Sequence, residues 1–340
     1  MGVIVAIILL YALCAVAALC NGSRGLYIAV VVALIAVAAL RPEGIDRDYM
    51  EYLSHFNNYD SVAMLEPTFK AIAWLSHTFF SSNHLLLFAI YAALGVGLKA
   101  VAIERLSDVA MLSLAIYISQ FFILHEMTQI RAGVASALLL LAIKPLYERN
   151  WRLFFTLALC ATAFHLSGVI IFALWFISPH RRLKLYLPII PVAIGLSLLG
   201  VDILTLIPIP YLSTKIALYQ NIREYTDSVH NQINLFNGLY LLRLALCCLL
   251  FWAAPTLTKR NRYYTLLLKI YTLSLAALPL FAHLPVVAYR VYELLGIVEI
   301  ILIPTLIYII RPKVAAYLTV LGYGFGQLML SLFHNRLLVP

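Results

Sequence analysis

Charge is what this sequence has least of. Asp, Glu, Lys and Arg make up 11% of its 340 residues, against about 25% in a soluble domain. A disordered chain or an ordinary water-soluble domain is thereby excluded. The five cysteines, Cys14, Cys20, Cys160, Cys247 and Cys248, lie inside apolar runs, without a CxxC or a Cys/His set at zinc spacing. They read as small buried hydrophobes, so neither a disulfide framework nor a zinc site is expected. GxSxG, HExxH, P-loop and dinucleotide-binding patterns are missing, which leaves hydrolase, metalloprotease and nucleotide-binding readings without support. No cofactor and no metal are expected. The first apolar run, residues 3–20, has no basic segment before it and is expected to stay as a first helix.

What the chain has in abundance is apolar sequence: 64% hydrophobic residues and a mean hydropathy of +0.95. The net charge of +9 would suit a nucleic-acid partner if the bases formed a patch. They sit instead in short clusters between apolar runs, as topological signals do, so the expected partner is the lipid bilayer and not nucleic acid. The predicted fold class is all-α: a polytopic transmembrane bundle of about 11–12 helical segments, one integral membrane domain over residues 1–340. Apolar runs fall at about 3–20, 26–40, 84–103, 109–124, 130–147, 152–178, 185–201, 237–253, 264–281, 290–310 and 314–333. Two longer polar stretches, 41–83 and 202–236, form the larger loops.

Residues 152–178 admit two layouts. One helix would be about 40 Å long at 1.5 Å per residue, with His165 at its centre. Two short helices would turn at His165. A single crossing puts the clusters Arg181–Lys184, Lys259–Arg262 and Arg311–Lys313 outside, against the positive-inside rule. The break at His165 is therefore predicted, with both large loops extracytoplasmic. Its polar turn must be covered by protein or line a wet cavity. Glu66–Phe80 begins with a Glu-Pro helix signal but is too short to cross, so an interfacial or re-entrant outer helix is expected there. A second outer-surface helix, rich in Tyr, is expected over 211–226.

Some polar residues resist a bland explanation. Lys99 and Lys269 lie toward inner helix ends and are expected to snorkel to the headgroups. Glu299 sits mid-span with no evident partner. Arg131, Arg243 and Arg290 fall in the outer halves of spans, where topological anchors are least expected; with Arg223 they form a candidate anion site. Guanidinium forks suit phosphate oxygens, so a pyrophosphate is the natural ligand. Glu293 shares a helical face with Arg290. Asp46, Asp48, Tyr49, Glu51 and Tyr52 form an acidic, aromatic outer segment, either a solvated loop or a sugar site. Asp46-Arg47-Asp48 has the DxD form, a weak match on its own.

Four motifs in order resemble the EpsG-like branch of the Wzy-type polysaccharide polymerases. Gly44-Ile-Asp46-Arg-Asp-Tyr49-Met-Glu-Tyr52 is similar to that family's GxD…Y segment, and Glu66-Pro67-Thr68-Phe69 to its EPGF helix start, with Thr68 in place of Gly. Gln129-Ile-Arg131-Ala-Gly133-Val-Ala135 resembles its QIRxGIA segment, and Phe164-His165-Leu-Ser167-Gly168 its FHxSA break, with Gly168 where Ala is common.

The resemblance implies a membrane glycosyltransferase that joins undecaprenyl-pyrophosphate-linked oligosaccharide repeat units into O-antigen, capsule or exopolysaccharide. It would work on the outer face of the bacterial inner membrane, with a flippase and a chain-length regulator as further partners. Attack by a sugar hydroxyl calls for a base, and His165, Glu126 and Asp46 are the candidates. Arg131, Arg290, Arg243 and Arg223 would hold the pyrophosphate. Asp48, Tyr49, Tyr52, Gln129, Glu293 and Tyr292 would bind sugar. A lipid-linked oligosaccharide flippase and a membrane acyltransferase are the competing classes.

Overall fold

The computed structural model describes residues 2–20, 22–62, 65–201 and 233–338. The predicted helix at 211–226, Arg223 within it and most of the second large loop lie outside the described residues. The described residues are mostly helical, and the one β-bridge among them pairs Asp46 with Leu338. The protein is an all-α polytopic membrane protein. Among the described residues seven helices are long and apolar enough to cross a bilayer: α1 (Gly2–Leu19), α5 (His84–Leu106), α6 (Ala110–Thr128), α7 (Ile130–Tyr147), α11 (Gly238–Leu257), α13 (Pro285–Tyr308) and α14 (Lys313–His334). Shorter apolar helices fill the bundle: α2 (Arg24–Ala39), α8 (Trp151–Phe164), α9 (Leu166–Phe176), α10 (Ile189–Leu198) and α12 (Tyr264–Leu280).

Helices α5, α6 and α7 form the centre, and α6 and α7 are buried along most of their length. Chain patterning explains why: α6 and α7 carry apolar residues all round, with only a few polar side chains among them, as helices surrounded by protein must. The outer helices α1 and α11 expose Leu9, Val16, Leu241 and Trp252. In water these would be liabilities; against lipid they are the expected surface.

The apolar run 152–178 is broken. Helix α8 ends at Phe164, His165 is extended (φ −156°, ψ 132°), and α9 begins as a 3₁₀ turn at Leu166. The two halves fold back on each other, as α9 packs against α8. Gly168 permits this: a Cβ there would lie 2.6 Å from the backbone of Ala161 and Thr162. Any side chain would push the hairpin open.

Two boundaries move from the sequence reading. Helix α6 does not stop near 124 but continues to Thr128, widening to π-type turns from Ile118. His125 and Glu126, which fall between the expected runs 109–124 and 130–147, are therefore helical and buried. Such a π segment is a common mark of a functional helix. Helix α13 begins at Pro285, one turn before the expected 290, with proline in the first turn where its missing N–H costs nothing.

In the 41–83 stretch lie α3 (Tyr49–Asn57) and α4 (Pro67–Phe79). Helix α4 has Trp74 and Phe79 exposed, with exposed Phe80 at its C-cap, and Phe69 and Ala73 buried. This amphipathic, one-sided aromatic edge is what a helix lying in a membrane interface presents.

Candidate active site

Helix α4 starts with Glu66 as N-cap and Pro67 as first residue, and the Glu66 side chain makes no cap bond to its own helix. It reaches instead across to two other elements. Oε1 lies 2.9 Å from Nδ1 of His165 at the α8–α9 break, and Oε2 accepts from the guanidinium of Arg131, second residue of α7. One carboxylate thus joins the first large loop, the π-helix junction and the hairpin turn. Thr68, the departure from the family's usual Gly, donates from Oγ1 to the Ala163 carbonyl at 2.8 Å. It satisfies one of the carbonyls that the end of α8 would otherwise leave open and ties α4 to the His165 turn.

Burial pushes the Glu66 carboxyl up, but the His165 hydrogen bond and the Arg131 charge outweigh it and hold the group at about 2. Glu66 is therefore ionised at any physiological pH and can only accept. The proton in its contact with His165 must then sit on Nδ1, which leaves Nε2 of the neutral imidazole with a free lone pair.

Around this core the structure gathers further polar groups. Arg131 lies over the rings of Tyr52 and Phe69, at 5.4 and 5.9 Å. Burial beside the Asp48 carboxylate raises the Tyr52 hydroxyl to about 12, with Arg131 and Arg290 opposing. Asp48 is itself raised, first by burial and then by Glu51, while Arg290 and Arg131 pull it back. Arg290 on α13 is close enough to act electrostatically on Asp48, His165 and Glu293, yet takes no part in the ion pairs among the described residues. Glu293 faces Gln129 and Arg290. Five buried polar atoms here, Tyr91 Oη, Arg131 Nε, Gln129 Oε1, Ser167 Oγ and Glu293 Oε2, have no hydrogen-bond partner among the described residues. Buried orphans cost free energy unless a polar ligand or water meets them. The side chains of Glu66, Arg131 and His165 keep 12, 18 and 16% of their surface accessible, so the cluster is sheltered but reachable.

The other expected site residues are placed elsewhere. Asp46 pairs with Arg41, Nε to Oδ2 at 2.9 Å with both side chains fully buried, and its Oδ1 accepts from the Asp48 backbone at 3.1 Å. Burial raises its carboxyl and Arg41 opposes. It braces the loop ahead of α3. Tyr49 stacks on Phe88 with ring centroids 4.8 Å apart, next to Arg41, not facing His165.

Glu126 points inward to Lys99 and accepts from Tyr117 at 2.9 Å, and Lys99 also donates to the Gly133 carbonyl at 2.6 Å. The expectation that Lys99 snorkels is thus corrected: it is wholly buried. Space for the pair comes from Gly95, where a Cβ would fall 1.9 Å from Glu126 Oε2, and from Gly133. Lys269 does not snorkel either, but donates to the carbonyls of Ser178 and Arg181.

Arg243 and Tyr292 belong to a separate buried group. Arg243 pairs with Glu299 at 3.4 Å and donates to the Tyr292 hydroxyl; Tyr323 donates to Glu299, and Gln120 does so at 3.3 Å. Glu299 thereby has the partners that the sequence did not show. Among the described residues no cluster of His, Cys, Asp and Glu is arranged to hold a metal ion.

A family model described as EpsG matches residues 25–336. The chain belongs to the EpsG family. It is also 26% identical over 283 residues to the amylovoran biosynthesis protein AmsC of Erwinia amylovora, covering 78% of this chain and 74% of that one. No solved structure matches it significantly. This EpsG-family chain is a multi-pass membrane protein.

Glu66 is the site residue that sequence reasoning missed. Its signal was present: a carboxylate directly before proline, in an outer loop, heading a helix too short to cross.

Proposed function

We propose that this EpsG-family protein is a glycosyltransferase that joins undecaprenyl-pyrophosphate-linked oligosaccharide repeat units, acting on the periplasmic side of the bacterial inner membrane. The observation that carries the reading is the Glu66 carboxylate shared between His165 and Arg131. It couples a base and a phosphate-binding fork in one assembly.

Glu66 holds the tautomer, and Nε2 of His165 takes the proton of the acceptor hydroxyl as its oxygen bonds to the anomeric carbon of the donor. The bond from that carbon to the pyrophosphate oxygen breaks, and the leaving group departs as an anion. Arg131 and Arg290 stabilise its growing charge, so no acid is needed. Asp48, Tyr52, Gln129 and Glu293 supply hydrogen bonds for sugar hydroxyls, and the ring of Tyr52 offers an apolar face. A flippase that delivers the substrate and a chain-length regulator are the partner classes this function implies.

The test is elongation of a purified lipid-linked repeat unit by the purified protein. His165→Ala should slow the chemical step by about 10²–10⁴, the usual contribution of a general base. His165→Gln, which hydrogen-bonds but does not take a proton at neutral pH, should do no better. Wild-type elongation by the Gln variant would remove His165 from the chemistry. The sidedness has its own test. With native cysteines replaced, a cysteine at 183 or 261 should resist membrane-impermeant reagents in intact cells, and ready labelling at both would invert the topology.

A further inference from the structure

Helix α13 carries Arg290 and Glu293 to the candidate site, and it is broken just beyond them. Its first part runs from Pro285 to Gly296, a turn takes up Ile297 and Val298, and helix resumes at Glu299. Gly296, the last residue before the turn, is a poor helix former. Past the turn, Ile300 and Ile301 donate to carbonyls three residues back, at 3.2 and 3.0 Å, instead of four. Side-chain contacts therefore weigh more than usual in setting the angle between the two parts.

One side chain reaches both. Arg243 on α11 donates from Nη1 to the Tyr292 hydroxyl in the first part, and its Nε lies 3.4 Å from Glu299 Oε2 in the second. The second part is also moored by Gln120 and Tyr323, which donate to Glu299. The first has a tie to α12, from Ser274 Oγ to the Tyr292 carbonyl at 2.6 Å. Arg243 is 7% exposed and Glu299 1%, and their charges cancel. The positive charge that α13 keeps for an anion is that of Arg290, two residues before Tyr292.

We propose that Arg243 is a positioning residue that staples the two parts of α13 across the break and so aims Arg290 at the leaving diphosphate. The inference rests on the proposed function for the identity of that anion. Arg290 stands six residues before Gly296, about 9 Å along a helix that rises 1.5 Å per residue. A swing of roughly 10° at the break moves its backbone by about 1.5 Å. Misplacing a group by about 1 Å can cost 10²-fold in rate. Glu293, three residues before Gly296, moves about half as far. Arg243 thus touches no substrate and acts through Arg290.

Two variants open the staple without stranding a charge. Tyr292→Phe removes the hydroxyl that Arg243 grips. Arg243→Met with Glu299→Gln removes both charges together, an exchange that buried pairs commonly tolerate, so both proteins should accumulate. The probe is inorganic pyrophosphate, added during elongation as a competitor of the lipid-linked donor. Its inhibition constant and the donor KM should rise together by about tenfold, while kcat falls by less. A fall in kcat alone would mean lost folded protein and overturn the proposal. Spacing is read separately, by the distance between nitroxide spin labels at Val286, exposed at the start of α13, and Asn57, exposed at the end of α3, with native cysteines replaced. Each variant should shift or broaden that distance by roughly 2–3 Å, since Val286 has the longer lever. Wild-type spacing beside a raised inhibition constant would put Arg243 on the anion itself and overturn the positioning role. The spacing needs no substrate, so its result separates from the functional reading. A shifted spacing in a protein that neither elongates nor responds to pyrophosphate would sink the polymerase reading and leave the staple standing. Normal elongation with the spacing unmoved would do the reverse.

Discussion

Replacing Glu66 with Gln changes one atom and removes three things: the charge facing Arg131, the obligate acceptor facing His165, and the link between them. The Glu66 carboxyl moves from 4.5 to about 2 in the folded protein. At about 1.4 kcal/mol per pH unit, its ionised form is favoured by about 3 kcal/mol over the neutral one. The side chain is only 12% exposed, so solvent screening takes little from that figure. Glu66→Gln should therefore destabilise the native state by up to about 3 kcal/mol, seen as a lower Tm in nanodiscs.

The pH dependence follows from the sign. A carboxyl whose folded pKa is depressed contributes stability that is complete above its unfolded value of 4.5 and is lost as pH falls through about 2. Between about pH 5 and pH 9 the deficit of the Gln variant should consequently be flat. Its activity should fall further than its stability. An amide can present either its oxygen or its N–H to Nδ1, so His165 is no longer held with Nε2 free, and elongation should drop by about 10²–10⁴. The assay is single-turnover elongation of a lipid-linked repeat, with kcat and KM read separately. A Gln variant that elongates at the wild-type rate refutes the coupled assembly. A variant with raised KM and intact kcat would show Glu66 bracing Arg131 alone.

Arg131→Lys and Arg290→Lys should each abolish elongation while the protein still accumulates, because lysine keeps the charge and loses the planar two-pronged donor. Wild-type rates in both would return these arginines to topological anchoring. Lys99→Met should destabilise the bundle by roughly 3–5 kcal/mol by stranding the buried Glu126 carboxylate. The double variant Lys99→Met/Glu126→Gln should recover most of that loss, and a double variant as unstable as the single one would show that packing, not charge, is what Lys99 supplies.

Much of this protein was legible in its sequence because a bilayer asks a simple question of each segment. Apolar length and the placement of Arg181–Lys184, Lys259–Arg262 and Arg311–Lys313 were enough to call for a helical bundle. The same clusters called for a break at His165, and the structure turns there. The four family motifs lay in order along the chain, and the family match covers them. Arg131 and His165 stood out because each is polar where the pattern is apolar.

Which polar groups meet was decided only by the tertiary structure. Glu126 and His165 were equal candidates for the base, but Glu126 points into the space left by Gly95 and Gly133 and is neutralised by Lys99. Arg131 and His165 face the loop and converge on Glu66 from positions 65 and 99 residues away along the chain. Arg243 and Arg290 sit in equivalent outer halves of their spans, yet one is committed to Glu299 and the other is not. Hydropathy counts each residue's cost in lipid, and that cost is nearly the same for a paired and an unpaired side chain when only the sequence is read. Pairing depends on which helices pack together and how closely glycine lets them approach, so the buried braces and the reactive cluster separate only once the chain is folded.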